Sequence, residues 1–181
     1  MKGKPTASEL NAINLSAKLK LFNGHSDKQY FNLPAGKEHY RLLHWFGENF
    51  NTILEFGTYR GLSTLALSGK AMVHSYDIED HDKAVWMYLV DANTFIYDGD
   101  YSYLHHDIDD FEIIFFDTVH DGKSELEFYT YLNEIGWTGI LILDDIHWNK
   151  EMEDFWNSIE LRKEDWTSIG HWSGTGIVFF E

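Results

Sequence analysis

Four side chains in two short stretches could act together: Asp117 and His120 in FFDTVHDG, and Asp144 with Asp145 in LILDDIHW. Each stretch follows a strongly apolar run, Phe111 to Phe116 (FEIIFF) and Gly139 to Leu143 (GILIL), that reads as a strand buried on both faces of a parallel sheet. Neighbouring parallel strands would deliver Asp117 and the Asp144/Asp145 pair to one edge of the sheet. Three carboxylates converging on one point repel unless a cation neutralises them, and oxygen ligands favour magnesium, calcium or manganese over zinc. A lone histidine more often just hydrogen-bonds within a loop. In a D-x-x-H spacing followed by an acid pair, His120 instead suits removal of a proton from a hydroxyl that the metal has acidified. His147, His105 and His106 have no comparable context and read as solvated or packing residues.

A second set lies in the run from Asn51 to Ser68, which reads as a buried strand, a glycine-punctuated turn and the start of a helix. Glu55 sits at the strand's carboxyl end, Gly57 and Gly61 bracket a loop where backbone approaches a ligand closely, and Ser63 and Thr64 open the helix. A crevice of this kind is where open α/β sheets bind cofactors. Taken alone, Glu55 reads better as a capping or salt-bridged acid. A dinucleotide fingerprint is disfavoured, because Tyr59 stands where its second glycine belongs and the Gly57 to Gly61 spacing is wrong for it.

The elements that must position these residues alternate in the manner of βαβ units. Strands are expected over Asn51 to Phe56, Met72 to Ile78, Asn93 to Tyr97, Phe111 to Phe116 and Gly139 to Leu143. Helices are expected over residues 36 to 49, His81 to Asp91, Ser124 to Ile135 and Lys150 to Leu161. Trp166 to His171 and Gly176 to Phe180 read as a terminal antiparallel hairpin. Residues 8 to 22 place Leu10, Ile13, Ala17 and Leu21 near helical spacing, a packing or homo-oligomer helix in an amino-terminal extension over 1–35. The expected fold is α/β and Rossmann-like, a seven-stranded mostly parallel sheet with a carboxyl-terminal antiparallel hairpin and helices on both faces, over residues 36–181.

Composition narrows the partners. With 181 residues one domain is expected, and 17% aromatic content argues for a ring-rich core. Thirty acids against fourteen Lys and Arg leave a formal charge of −16, which repels a phosphate backbone, so no nucleic-acid partner is expected. The absence of cysteine excludes disulfides, thiolate metal sites and a cysteine nucleophile. No apolar run approaches the roughly 20 residues that span a bilayer, so a cytoplasmic protein without a membrane partner is the expectation.

The series LEFGTYRGLST, SYDIED, IIFFDTVHDG and GILILDDIHW resembles class I methyltransferases that use S-adenosylmethionine, specifically the metal-dependent small-molecule O-methyltransferases of catechol, caffeoyl-CoA and macrolide-sugar type. The resemblance covers about residues 36 to 181. It implies that Glu55, Gly57, Thr58, Tyr59, Gly61 and Ser63 hold the methionine part of the cofactor. There a carboxylate accepts from the α-ammonium, and loop amides with the helix's positive end receive the α-carboxylate. It implies that Asp77 takes the ribose hydroxyls, that Asp100 or Asp98 meets the adenine amino group, and that Asp117 borders the cofactor as well as the ion. Asp117, Asp144 and Asp145 match the family's metal ligands, for magnesium or manganese, and His120 stands where catechol-directed members carry a lysine base. The implied activity is O-methylation of a hydroxylated small molecule, with a sugar or glycosylated metabolite slightly favoured over a catechol. Two departures are visible: Thr138-Gly139 stands for the usual glycine pair, and the region between the third and fourth strands is short. A non-catalytic cofactor-binding or assembly module and a metal-dependent hydrolase on a related fold remain alternatives.

Overall fold

The computed structural model describes residues 3–15, 18, 34–79, 93–98 and 108–181. Within them the chain forms, in order, α1 (Ala7–Ala12), α2 (Pro34–Asn49), β1 (Thr52–Phe56), α3 (Leu62–Leu67), β2 (Met72–Asp77), β3 (Thr94–Asp98), β4 (Ile113–Phe116), α4 (Lys123–Ile135), β5 (Gly139–Asp144), α5 (Lys150–Ser158), β6 (Lys163–Asp165) and β7 (Thr175–Phe180). The seven strands make one sheet in the order β3-β2-β1-β4-β5-β7-β6. β3, β2, β1, β4 and β5 run parallel, and β7 pairs antiparallel with both β5 and β6. This is the mostly parallel Rossmann-like sheet expected from the sequence.

Alternation along each central strand divides the core. Leu54, Phe56, Ile114, Phe116, Leu141 and Leu143 point to the face covered by Phe128 and Leu132 of α4 and Phe155 and Trp156 of α5. Their chain neighbours Ile53, Ile113, Phe115, Ile140 and Ile142 point to the other face, under Leu42, Leu43 and Phe46 of α2 and Ala66 and Leu67 of α3. All four residues of β4 are buried, as a central parallel strand requires. Leu10 of α1 joins the α2 side of this core, so the amino-terminal segment packs as part of it.

The hairpin differs from expectation in its first strand, which is Lys163–Asp165 and not Trp166 to His171. The physical cause is Asp165, whose carboxylate accepts from the Thr167 amide (2.9 Å) and hydroxyl (2.5 Å) and starts a 3₁₀ turn over Thr167–Ile169. Trp166 then drops into the core, stacked on Phe46 at 6.0 Å between ring centroids. The α5 helix also stops at Ser158, short of Leu161, because Ile159 is already extended. The helix expected over His81 to Asp91, and Ala17 and Leu21 of the amino-terminal one, lie outside the described residues. Among the described residues no helix is long and apolar enough to cross a membrane.

Candidate functional site

Parallel pairing brings the carboxyl ends of β1, β2, β4 and β5 to one edge, and with them Glu55, Asp77, Asp117 and Asp144. Two clefts open there and meet at Gly57, Tyr59 and Asp117. The first, about 510 Å³, reaches Tyr76, Asp77, Ile78 and Val119, and the second, about 400 Å³, reaches Ser63, His39, Asp144, Asp145, His171 and Trp172.

The Gly57 to Ser63 loop is tightly determined. Gly57 has φ +95°, and a Cβ there would collide with the Asp117 carbonyl, so only glycine lets β1 and β4 exit side by side. The Gly57 amide donates to the Tyr76 carbonyl at 2.9 Å, the Tyr59 amide to Asp77 Oδ2 at 2.6 Å and the Gly61 amide to the Thr58 carbonyl at 2.7 Å. These amides are therefore bonded within the protein, although the sequence suggested them as carboxylate receptors. Asp77 Oδ1 also accepts from the Glu79 amide at 2.9 Å, so Asp77 ties the β1 and β2 exits together.

Glu55 is fully buried beneath this loop. Its Oε2 accepts from the Thr64 hydroxyl at 2.5 Å, while its Oε1 has no hydrogen-bond partner among the described residues. Burial pushes its pKa up to about 7, against the pull of the Ser63, Ser75 and Thr64 hydroxyls and with help from the charge of Asp117. A half-satisfied buried carboxylate of this kind is suited to meeting a cation. Asp100 lies outside the described residues, and Asp98 is placed only as the last residue of β3, beside Asp77.

At the other end of the edge, carboxylates and imidazoles alternate. His120 Nε2 lies 3.1 Å from Asp117 Oδ1 and 3.5 Å from Asp145 Oδ2, so the imidazole stands between two of the three acids. His171 Nδ1 lies 3.3 Å from Asp144 Oδ2 and 3.0 Å from Asp145 Oδ1, and Ser173 donates its hydroxyl to Asp145 Oδ1. His39 Nδ1 faces Asp144 Oδ1 at 3.8 Å. Burial works against a charged His120, but contact with Asp117 and the charges of Asp117, Asp145 and Asp144 outweigh it and raise the pKa to about 9. The same contest, won by Asp144 and Asp145, raises His171 to about 10. His39 goes the other way, down to about 3, through burial and the nearby His171, so its contact with Asp144 is not an ion pair. Burial pushes Asp144 up, whereas the His171 and Ser173 hydrogen bonds overcome burial and hold Asp145 down.

Backbone strain and second contacts hold these groups. Tyr59, His120 and Asp145 are the described non-glycine residues with positive φ, at 43°, 55° and 59°, and Tyr59 and Asp145 line the clefts. The His120 amide donates to Glu125 Oε1 at 3.1 Å and its carbonyl accepts from Asn149 Nδ2 at 2.8 Å. Asn149 also caps α5 through the Met152 amide. The His171 amide donates to Thr175 Oγ1 at 2.8 Å.

Sequence reasoning passed over His39, Glu125 and Asn149. A signal for His39 existed: it shares the buried stripe His39, Leu42, Leu43, Phe46 at i, i+3, i+4, i+7, where a polar side chain needs a reason.

No protein-family model matches the sequence, and no curated protein matches it. Solved structures do match in fold. An O-methyltransferase of Bacillus cereus in complex with S-adenosylhomocysteine is 15% identical with a TM-score of 0.57, over 98% of this chain and 92% of that one. The S-adenosylhomocysteine-bound methyltransferase of Podospora anserina is 14% identical with a TM-score of 0.59, over the whole of both chains. The O-methyltransferase TomG of Streptomyces achromogenes, from tomaymycin synthesis and in complex with S-adenosylmethionine, is 14% identical with a TM-score of 0.59, over 98% of this chain and 92% of that one. The fold is therefore the Rossmann-like one of these methyltransferases.

Proposed function

We propose that the protein is an S-adenosylmethionine-dependent O-methyltransferase acting on a hydroxylated small molecule. The observation that carries this reading is the pair of clefts joined at Gly57, Tyr59 and Asp117, one lined by Asp77 and apolar side chains, the other by His39, His171 and acids. In the first, Ile78 and Val119 are exposed apolar side chains on the two strand exits that flank β1, suited to the faces of an adenine. Asp77 lines the same cleft, where its carboxylate would accept from the ribose hydroxyls. Glu55, buried beneath the Gly57 to Ser63 loop with Oε1 unpartnered among the described residues, would take the α-ammonium, and Ser63, which lines the second cleft, the α-carboxylate.

When bound, the cofactor would supply a sulfonium methyl and leave as the neutral thioether, and His120 would take the proton that the acceptor hydroxyl loses. Glu125 and Asn149 hold the His120 backbone, which keeps its imidazole between Asp117 and Asp145. The exposed Trp148 and Trp172 pack edge to face at 6.0 Å between centroids, with Trp172 on the second cleft. Such faces suit a sugar or glycosylated acceptor.

A divalent ion belongs to this reading, and bound among the carboxylates it would lower the pKa of the acceptor hydroxyl and of His120 together. Magnesium or manganese on Asp117, Asp144 and Asp145 is the set read from sequence, but His120 stands between Asp117 and Asp145, and these three acids are not the groups whose ligand atoms converge. The acidic charge of the chain supports a small-molecule acceptor over nucleic acid.

Calorimetry with S-adenosylhomocysteine, followed by transfer of labelled methyl from S-adenosylmethionine to a panel of hydroxylated sugars and phenols, tests the reading. Stoichiometric binding and label in one acceptor class are expected. Absence of S-adenosylhomocysteine binding would remove the methyl-transfer assignment and leave the metal-dependent hydrolase; binding without transfer to any acceptor would leave a cofactor-binding module.

A further inference from the structure

We infer that His39, Asp144 and His171 form a site for one first-row divalent transition-metal cation, which the site selects over magnesium. Among the described residues these are the three whose ligand atoms lie together, all within 4.8 Å of one another. They come from α2, the end of β5 and the turn before β7, so the site exists only in the folded chain.

Two of the three ligand atoms are unexplained without a partner. His39 Nδ1 and Asp144 Oδ1 are buried, face each other, and make no hydrogen bond among the described residues. Their side chains are only 6% and 4% exposed, so neither is satisfied from bulk solvent. The spacing nearly fits an ion already. Ligands about 2.1 Å from a shared cation at tetrahedral or octahedral angles lie roughly 3.0 to 3.4 Å apart. His171 Nδ1 lies 3.3 Å from Asp144 Oδ2 and His39 Nδ1 3.8 Å from Asp144 Oδ1, so the Asp144 carboxylate, binding through both oxygens, reaches both imidazoles within side-chain adjustment of that range.

Donor chemistry sets the selectivity. Two imidazoles and one carboxylate suit zinc, cobalt, iron or nickel, whereas magnesium demands oxygen. His171 Nδ1 also meets Asp145 Oδ1 and Ser173 Oγ, each at 3.0 Å, contacts that an ion on this nitrogen would replace. The set also differs from the three carboxylates that the sequence suggested, sharing only Asp144 with them. The inference rests on the methyl-transfer reading only in placing the ion beside the acceptor; its geometry stands without it.

The test is titration of the chelator-treated full chain with cobalt(II), read by visible absorption, with zinc and magnesium as competitors. One cobalt per chain is expected, displaced by stoichiometric zinc and not by excess magnesium. His39→Ala and His171→Ala should each weaken cobalt binding by at least about tenfold, with Asp117→Asn and His120→Ala little changed. His171 is partly exposed, so its variant tests the site even if His39→Ala fails to fold. No stoichiometric cobalt, or binding lost in Asp117→Asn and kept in both histidine variants, overturns the site. S-adenosylhomocysteine calorimetry on the same preparation separates the two readings: nucleoside binding without cobalt removes this inference alone, and cobalt without nucleoside removes methyl transfer alone.

Discussion

The two halves of the cleft are built in opposite ways. The half around Glu55, Gly57 and Asp77 comes from one β1-loop-α3 unit and the strand beside it, within residues 52–79, and backbone hydrogen bonds hold it. The half around His120 and His171 draws side chains from α2, the β4 exit, the β5 exit and the turn before β7, and charge contacts hold it. The first is therefore a rigid cradle whose failure should be structural. The second is an electrostatic balance whose members can be retuned singly, which suits the acceptor discrimination and proton transfer proposed for it.

The harshest way to break this contrast is Gly57→Ala. A Cβ against the Asp117 carbonyl at φ +95° joins a backbone clash to strain, so a stability loss of roughly 3 kcal/mol or more is expected, with S-adenosylhomocysteine binding lost. A thermal melt and calorimetry check both. A variant with unchanged melting and affinity would show that the cradle is not rigid.

His120→Ala probes the other half, where the effect should be on rate. Turnover should fall by about 10² to 10⁴ with S-adenosylhomocysteine affinity near wild type, measured by labelled-methyl transfer and calorimetry. A matching pH effect is expected without added metal. Because Asp117, Asp144 and Asp145 hold His120 near 9, the neutral base forms only as pH rises toward that value, so kcat/KM should climb through pH 9. Asp117→Asn should move that limb to lower pH, and an unmoved limb would assign it to another group.

Glu55→Gln sharpens the comparison by setting function against stability. The folded pKa of about 7 lies above the ordinary 4.5, so folding favours the protonated acid. That support is complete below pH 4.5 and is lost as pH rises through 7. The glutamine, which never ionises, should therefore melt higher than wild type at pH 8 and equal it near pH 4, while binding S-adenosylhomocysteine at least about tenfold more weakly for want of a counter-charge. Equal affinity at pH 8 would remove Glu55 from the cofactor.

The smallest expected effect belongs to Asn149→Ala. Loss of the α5 cap should cost about 1 kcal/mol, and loss of the His120 carbonyl tether should lower turnover by a few fold, read from a melt and a rate on the same preparation. Cap loss without any change in rate would mean that Glu125 alone positions His120.

Much of the fold was legible because β1, β4 and β5 are short apolar runs with an acid at or beside their carboxyl ends, a pattern that suits central strands of a mostly parallel sheet. The hairpin was misjudged by one element because a local contact, the Asp165 carboxylate on Thr167, turned an aromatic-rich segment into a 3₁₀ turn. In the site, the acids at strand ends were legible from register alone. The partners of those acids were not, since nothing local ties His39 to Asp144 over 105 positions, and only the rotation of α2 on the sheet turns His39 toward the edge.

By itself, then, the sequence determined the order of elements, the glycine turn after β1 and the row of acids at one sheet edge. Periodicity and steric limits act between near neighbours and are written in the chain directly. Tertiary structure alone decided which imidazole meets which carboxylate, that His120 stands between Asp117 and Asp145, and that His39 and His171 close on Asp144. The physical reason is that electrostatic contacts and burial depend on distances set by packing across the whole domain, and these distances raise His120 and lower His39 although both are the same residue type.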